Sequence, residues 1–315
     1  MDKFRPNLPG SCVHILLIST VVGVISGADW CYYSQVSCDN NCTGPNGWFK
    51  VAEMCGSRSQ SPINIVTKKA ELVQQRTGFK FTGYQDTFNS LITNNGHTVQ
   101  VDLMTTATVL GAHLKAAYKV VQLHLHWGTD GGPGSEHTID GERYPMELHI
   151  VHIKETHNSL AEALKDPTGV AVLGFFYEES TVSNRKYDSI IKALNSIKQP
   201  NTNTSLNGMA LDMLIPSRSN MTSYYYYNGS LTTPNCAESV VWTVFENTIP
   251  LSKQQLAAFS KLQFADALPM VGTYRPVQPL NGRRVYYSDG HVVLLSTLLL
   301  VCSLLSAIEV SLPDF

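Results

Sequence analysis

The chain has 315 residues, 43% of them apolar, and a formal net charge of −2 at pH 7. It can bury a sizeable core, and the near-neutral balance without a long basic run gives no electrostatic reason to expect nucleic acid. There is no internal repeat and no low-complexity linker; Pro and Gly are scattered between short strand-like runs, which favours one large β-rich domain over two.

In chain order, the N-terminus reads as a secretory signal over residues 1–28. Lys3 and Arg5 precede an apolar stretch at 13–25, and Ser26-Gly27-Ala28 forms a small-residue cleavage site. About a dozen apolar residues are too few to span a bilayer, so cleavage after Ala28 is expected. Of the seven cysteines, Cys12 lies in that signal and Cys302 in the C-terminal tail. Cys31, Cys38, Cys42, Cys55 and Cys236 are left, in spacings that suit no zinc knuckle; on a secretory route, disulfides are the expectation. Asn-x-Ser/Thr sequons at Asn41, Asn203 and Asn220 lie in polar, loop-like sequence and are expected to accept glycans. A further sequon at Asn228 follows four consecutive tyrosines and is expected to be too buried for one.

The most informative segment is Gln122-Leu123-His124-Leu125-His126-Trp127, where polar and apolar residues alternate. That is strand periodicity, and it places Gln122, His124 and His126 on one face. In Glu147-Leu148-His149-Ile150-Val151 the same alternation puts Glu147, His149 and Val151 together. If the two strands are neighbours, three imidazoles converge with a fourth position open, the arrangement of a catalytic zinc site rather than a closed structural one. Gln122 and Glu147, each two residues upstream of a ligand, can accept its second ring N–H and so fix its tautomer. A bare His-x-His is more often a surface coincidence, but these histidines sit among Leu123, Leu125 and Trp127. Burial there without a metal would demand a hydrogen-bond partner for every ring.

Helices are expected over 187–197 and 253–264. The apolar run at 292–308 sits at the lower length limit for a span and has no basic cluster after it. With Ser288, Asp289 and Gly290 upstream, residues 289–315 read instead as a removable glycolipid-anchor signal.

These blocks, with Gln60-Ser61-Pro62-Ile63-Asn64-Ile65, Asn94-Asn95-Gly96-His97, Gly134-Ser135-Glu136-His137 and Gly229-Ser230-Leu231-Thr232-Thr233-Pro234, resemble the alpha-class carbonic anhydrases. They occur in family order from about Trp30 to about Val285, and both chain ends most resemble the membrane-anchored vertebrate members. The resemblance implies a β-rich single domain at 29–288, with a large twisted, mostly antiparallel central sheet and peripheral helices. It implies zinc on His124, His126 and His149, and hydration of carbon dioxide by a zinc-bound hydroxide. Glu136 and Thr232 would orient that hydroxide, and Thr233 would contact the product anion. Val151, Val172, Leu231, Val240 and Trp242 would form an apolar wall for carbon dioxide. His97 takes the family's proton-shuttle position, while His137 and His152 read as buried structural residues and His113, His157 and His291 as surface or dispensable ones.

The resemblance also pairs Cys55 with Cys236 and Cys31 with Cys38 or Cys42, of which Cys42 is preferred. It strengthens Ser288 as the lipid attachment site on the extracellular face, where bicarbonate transporters are the expected partners. The alternative is a catalytically weak family member that acts mainly as a binding or adhesion module; the intact ligand set favours the enzyme. A zinc protease is disfavoured because no His-Glu-x-x-His helix exists.

Overall fold

A computed structural model of the chain describes residues 30–37, 42–73 and 78–289. The expected signal peptide, Cys38, Asn41, His291 and the apolar C-terminal run lie outside the described residues.

The strands, in chain order, begin with β1 (Asn64–Ile65), β2 (Glu71–Leu72), β3 (Phe79–Thr82), β4 (Phe88–Asn94), β5 (Val99–Asp102) and β6 (Thr108–Gly111). The long central strands follow: β7 (Leu114–Trp127), then a short β8 (Thr138–Ile139), β9 (Met146–Lys154) and β10 (Val170–Ser180). The chain closes with β11 (Thr202–Met209), β12 (Tyr224–Gly229), β13 (Val240–Ser252) and β14 (Tyr286–Ser288). Along the main sheet the order is β11-β4-β5-β7-β9-β10-β13-β12-β14-β2, with β3 and β6 attached beside β7. Most neighbours are antiparallel; β10–β13 and β14–β2 are parallel. β1 and β8 pair parallel in a separate two-stranded sheet. The β-rich architecture, a large and mostly antiparallel central sheet with peripheral helices, is as expected.

Strand alternation splits the core between the two faces of this sheet. Leu123, Leu125 and Trp127 of β7, Leu148 and Ile150 of β9, and Leu173 and Phe175 of β10 belong to the larger cluster. Val151, Val172, Val240 and Trp242 belong to the smaller cluster on the opposite face. β9 and β10 are buried almost end to end because apolar side chains cover both their faces. The histidines therefore sit on the smaller-cluster face, with the main core behind them.

Helix α1 is Leu160–Ala163, α2 is Asp188–Leu194, α3 is Leu211–Leu214 and α4 is Lys253–Phe259. Ser252 and Gln255 form a capping box that starts α4 where expected. Both α2 and α4 stop short of the expected ends. Beyond α4, Gln263 forms a bridge with Pro269 and the Phe264 N–H donates to Leu268, which draws the backbone out of the helix. Disulfides join Cys31 to Cys42 and Cys55 to Cys236, 11 and 181 residues apart in sequence.

Some surroundings differ from expectation. Asn228 is exposed, not buried: β14 pairs with β12 only from Tyr224 to Tyr226, so Asn228 lies past the cover. Asn203 is exposed too, on the edge strand β11 rather than in a loop, and Asn220 is exposed at the end of a short 3-10 helix, Arg218–Asn220. His113 is half-buried rather than on the open surface. A turn through Ala112 (φ 51°) tucks its ring against Tyr226 at 4.0 Å, and burial drives its pKa down to about 3. His157 is half-buried and 3.2 Å from Asp166.

Candidate metal centre

β7 and β9 are neighbours, and in their register His124 stands opposite His149 while His126 stands opposite Glu147. Opposed residues of an antiparallel pair point to the same face. In consequence one ring nitrogen each of His124, His126 and His149 falls within 4.8 Å of the others.

The remaining ring nitrogen of each histidine is held. His124 Nδ1 donates to Gln122 Oε1 at 2.9 Å, and His149 Nε2 donates to Glu147 Oε1 at 2.7 Å, as the two-residue offsets predict. His126 Nδ1 donates to the Thr273 carbonyl at 2.5 Å, a contact with no counterpart in the sequence pattern. Each acceptor is an oxygen, so each of these nitrogens carries the proton. The converging atoms, His124 Nε2, His126 Nε2 and His149 Nδ1, are therefore the unprotonated ones. His126 Nε2 is buried with no hydrogen-bond partner among the described residues. Burial, followed by the neighbouring imidazoles, pushes the His124 pKa well below its usual value, and burial lowers that of His126. Both are thus kept neutral, the form that binds metal.

These residues fit zinc. Two nitrogens bound tetrahedrally at 2.0–2.1 Å would lie about 3.3 Å apart, and His124 Nε2 is 3.2 Å from His149 Nδ1. A second cluster, His137 with Glu147 and His149, does not fit a metal. Glu147 Oε1 accepts from His149 and from His137 Nδ1, and its Oε2 accepts the backbone N–H groups of Glu136 and His137. All its lone pairs are in use. Burial alone would raise its pKa, but His137 and His149 beside it hold the carboxyl well below the usual range. His137 is fixed in turn by Tyr227 at 2.7 Å, and His152 by Tyr84 at 2.5 Å; both are structural, as expected. Gly174 of β10 keeps this cluster open, since a Cβ there would approach Glu147 Oε1 to 3.3 Å.

Glu136 is fully buried. Its Oε1 accepts the Arg275 N–H at 2.9 Å. Its Oε2 has no hydrogen-bond partner among the described residues and lies 3.4 Å from His126 Nε2 and 3.9 Å from His149 Nδ1. Thr232 is buried in the turn after β12, but no hydrogen bond joins its hydroxyl to Glu136 in this structure; the open Oε2 is the acceptor such a bond would use. That turn is pinned by Leu231 N–H to Ala237 and by Trp242 Nε1–H to the Ser230 carbonyl.

Arg275 was not singled out in the sequence. Its buried guanidinium donates to Gln60 Oε1 and to the Ser61 and Cys55 carbonyls. Gln60 Nε2 donates onward to the Cys236 carbonyl, tying the Cys55–Cys236 region to the residue that holds Glu136.

The apolar residues expected to form a wall do come together. Val151 pairs with Val172, and Val172 with Trp242, across β9, β10 and β13. Val240 joins them in one buried cluster, and Leu231 packs against it half-buried. The Trp242 ring lies 4.8 Å from His149. Thr233 is half-buried at the turn.

His97 stands apart from the ligand histidines. Its ring stacks on Trp30 at 4.1 Å, and its Nδ1 has no hydrogen-bond partner among the described residues. Asn95 Oδ1 accepts the backbone N–H of His97 and of Thr98, and Asn95 Nδ2 reaches Gln100 at 3.4 Å. Gln100 is the β5 residue opposite His124. Burial lowers the His97 pKa, with Asp266 opposing the shift.

Residues 43–289 match the sequence model of the eukaryotic-type carbonic anhydrases. The chain is 41% identical over 263 residues to carbonic anhydrase 4 of Oryctolagus cuniculus, covering 82% of this chain and 84% of that protein. It is 37% identical over 286 residues to carbonic anhydrase 4 of Rattus norvegicus, covering 90% and 92%. It is 36% identical over 302 residues to carbonic anhydrase 15 of Mus musculus, covering 91% of each.

Proposed function

The chain belongs to the eukaryotic-type carbonic anhydrases, and from that premise we propose that His124, His126 and His149 hold the zinc of a carbon dioxide hydratase. As a family member the protein is a carbonate dehydratase, interconverting carbon dioxide and bicarbonate. The observation that carries the ligand assignment is the convergence of three unprotonated nitrogens, each on a ring anchored through its other nitrogen. Zinc in such a site acts as a Lewis acid and brings the ionisation of a water close to neutral pH, as is established for carbonic anhydrases themselves.

The protein's own residues supply orientation, exclusion of water and proton transfer. Gln122, Glu147 and the Thr273 carbonyl fix the ligand tautomers and raise ring basicity. Glu136 Oε2, unpartnered beside the ligand nitrogens, is placed to accept from Thr232, which would then accept a hydrogen bond from the attacking oxygen and aim its lone pair. Val151, Val172, Leu231, Val240 and Trp242 present carbon dioxide with a surface that competes poorly for water. Thr233 would contact the departing anion. His97 would carry the proton outward; with its pKa lowered it is neutral at neutral pH and so free to accept one.

The N- and C-terminal segments support placement on the outer face of the plasma membrane, through a lipid attached at Ser288, with bicarbonate transporters as neighbours. Ser288 ends β14, opposite Tyr224. Among the described residues no helix is long and apolar enough to cross a membrane. Stopped-flow hydration of carbon dioxide with and without a zinc chelator tests the catalytic reading. Release from cells by a phosphatidylinositol-specific phospholipase tests the anchor.

A further inference from the structure

Asn228 is the residue whose surroundings depart furthest from what its sequence suggests. It lies in Asn228-Gly229-Ser230, an acceptor sequence for N-linked glycans. Three of the four tyrosines before it are buried, but Asn228 itself is exposed. Its position on β12 explains the difference. The hydroxyl of Tyr227 meets His137 Nε2 and Ser61 Oγ inside the buried network behind the metal centre. Side chains alternate across a strand, so Asn228 projects from the opposite face. β14 covers β12 only to Tyr226, and the Asn228 carbonyl is taken by the Arg283 guanidinium. The side-chain amide makes no hydrogen bond to the described residues, in contrast to Asn64, Asn94 and Asn184, whose side chains are all engaged.

From this placement we infer that Asn228 carries an N-linked oligosaccharide, held on the face away from the metal centre. The inference rests on the secretory reading of the N-terminus. In the transfer, Asn228 Nδ2 forms a bond to C1 of a polyprenyl-pyrophosphate-linked oligosaccharide. The bond from C1 to the pyrophosphate oxygen breaks, the polyprenyl pyrophosphate leaves, and the amide loses one proton to a transferase base. Ser230 is fully buried in the folded chain, so the sequon is readable only before β12 docks. Afterwards the exposed Asn228 lets the glycan stay without disturbing the packing. The same strand thus turns a tyrosine to the site and a sugar to solvent.

The test is to express the full chain in vertebrate cells, remove N-glycans enzymatically in heavy-oxygen water and map the labelled positions. Residues 220 and 228 share one tryptic peptide, bounded by Arg218 and Lys253, so the label is located by fragmentation in an Asn220→Gln background. The expected result is conversion of Asn228 to labelled aspartate, loss of one glycan from the Asn228→Gln variant, and unchanged hydration kinetics in that variant. A chain labelled at Asn203 with Asn228 bare would overturn the inference and leave the secretory reading standing. A chain with its N-terminal segment retained and no sequon labelled would overturn both.

Discussion

His124 Nε2 and His149 Nδ1 face each other across β7 and β9 at 3.2 Å, each on a ring whose other nitrogen donates to an oxygen, which leaves the facing nitrogens as the lone-pair ends of the neutral rings. Two lone pairs at that separation repel unless a cation lies between them. The metal-free fold should therefore be less stable than the zinc-loaded one. Free zinc at a thousand times its dissociation constant should add about 4 kcal/mol. Thermal unfolding with and without chelator checks this; an unchanged midpoint would mean that the three nitrogens do not share an ion.

The unpartnered Oε2 of Glu136 predicts a separation of metal binding from rate. Thr232→Ala should keep stoichiometric zinc and lose about 10²-fold in catalytic efficiency, since it removes orientation and not a ligand. Glu136→Gln should resemble it: with the amide oxygen kept on the Arg275 N–H, the NH2 group takes the Oε2 position and cannot accept from the hydroxyl. Wild-type efficiency in either variant would remove the pair from the mechanism.

His97 should limit only the export of protons. His97→Ala is expected to lower the maximal rate in dilute, bulky buffer, to leave catalytic efficiency nearly unchanged, and to recover with added imidazole. Because burial lowers its pKa, the His97 ring should also titrate below 6.5 when followed by NMR. A maximal rate indifferent to both substitution and imidazole would leave His97 as a turn residue stacked on Trp30.

Acid should destabilise the fold through His152. Burial lowers its folded pKa from 6.5 to about 4, while Tyr84 and Ala171 hold its nitrogens. Between those values the unfolded chain binds the proton and the folded chain does not. The stabilisation is thus complete above pH 6.5 and is lost as pH falls towards about 4, by about 1.4 kcal/mol per unit. His152→Gln should be less stable at pH 7 yet show a flatter dependence from pH 6.5 to 4 in urea unfolding. An identical slope in the two proteins would contradict the buried neutral form.

What could be read from the sequence follows from what each contact is made of. The period-two pattern around His124 and His149 encodes which face they share, and Gln122 and Glu147 sit at offsets that a strand turns into contacts. The partner of His126 is a backbone carbonyl at Thr273, 147 residues away, and a carbonyl has no residue identity to recognise. Nothing in the sequence marks Arg275 for the same reason, since it holds Glu136 through its backbone N–H. The apolar wall was legible only by family resemblance, because Val151 and Val172 look like any core valines until β9 and β10 pair them. Four tyrosines before Asn228 suggest a covered strand, whereas where β14 stops is a tertiary fact that no local pattern encodes. The disulfide to Cys42 matches the preferred pairing, although spacing alone left Cys38 open.

The central claim is that these three histidines carry the metal. It is tested most directly by the zinc content of His149→Ala after dialysis against a zinc buffer, beside the wild-type protein. The account predicts one zinc per wild-type chain, and a variant that has lost most of its zinc together with its hydration activity. A variant that keeps one zinc per chain and hydrates carbon dioxide at a near-normal rate would contradict it.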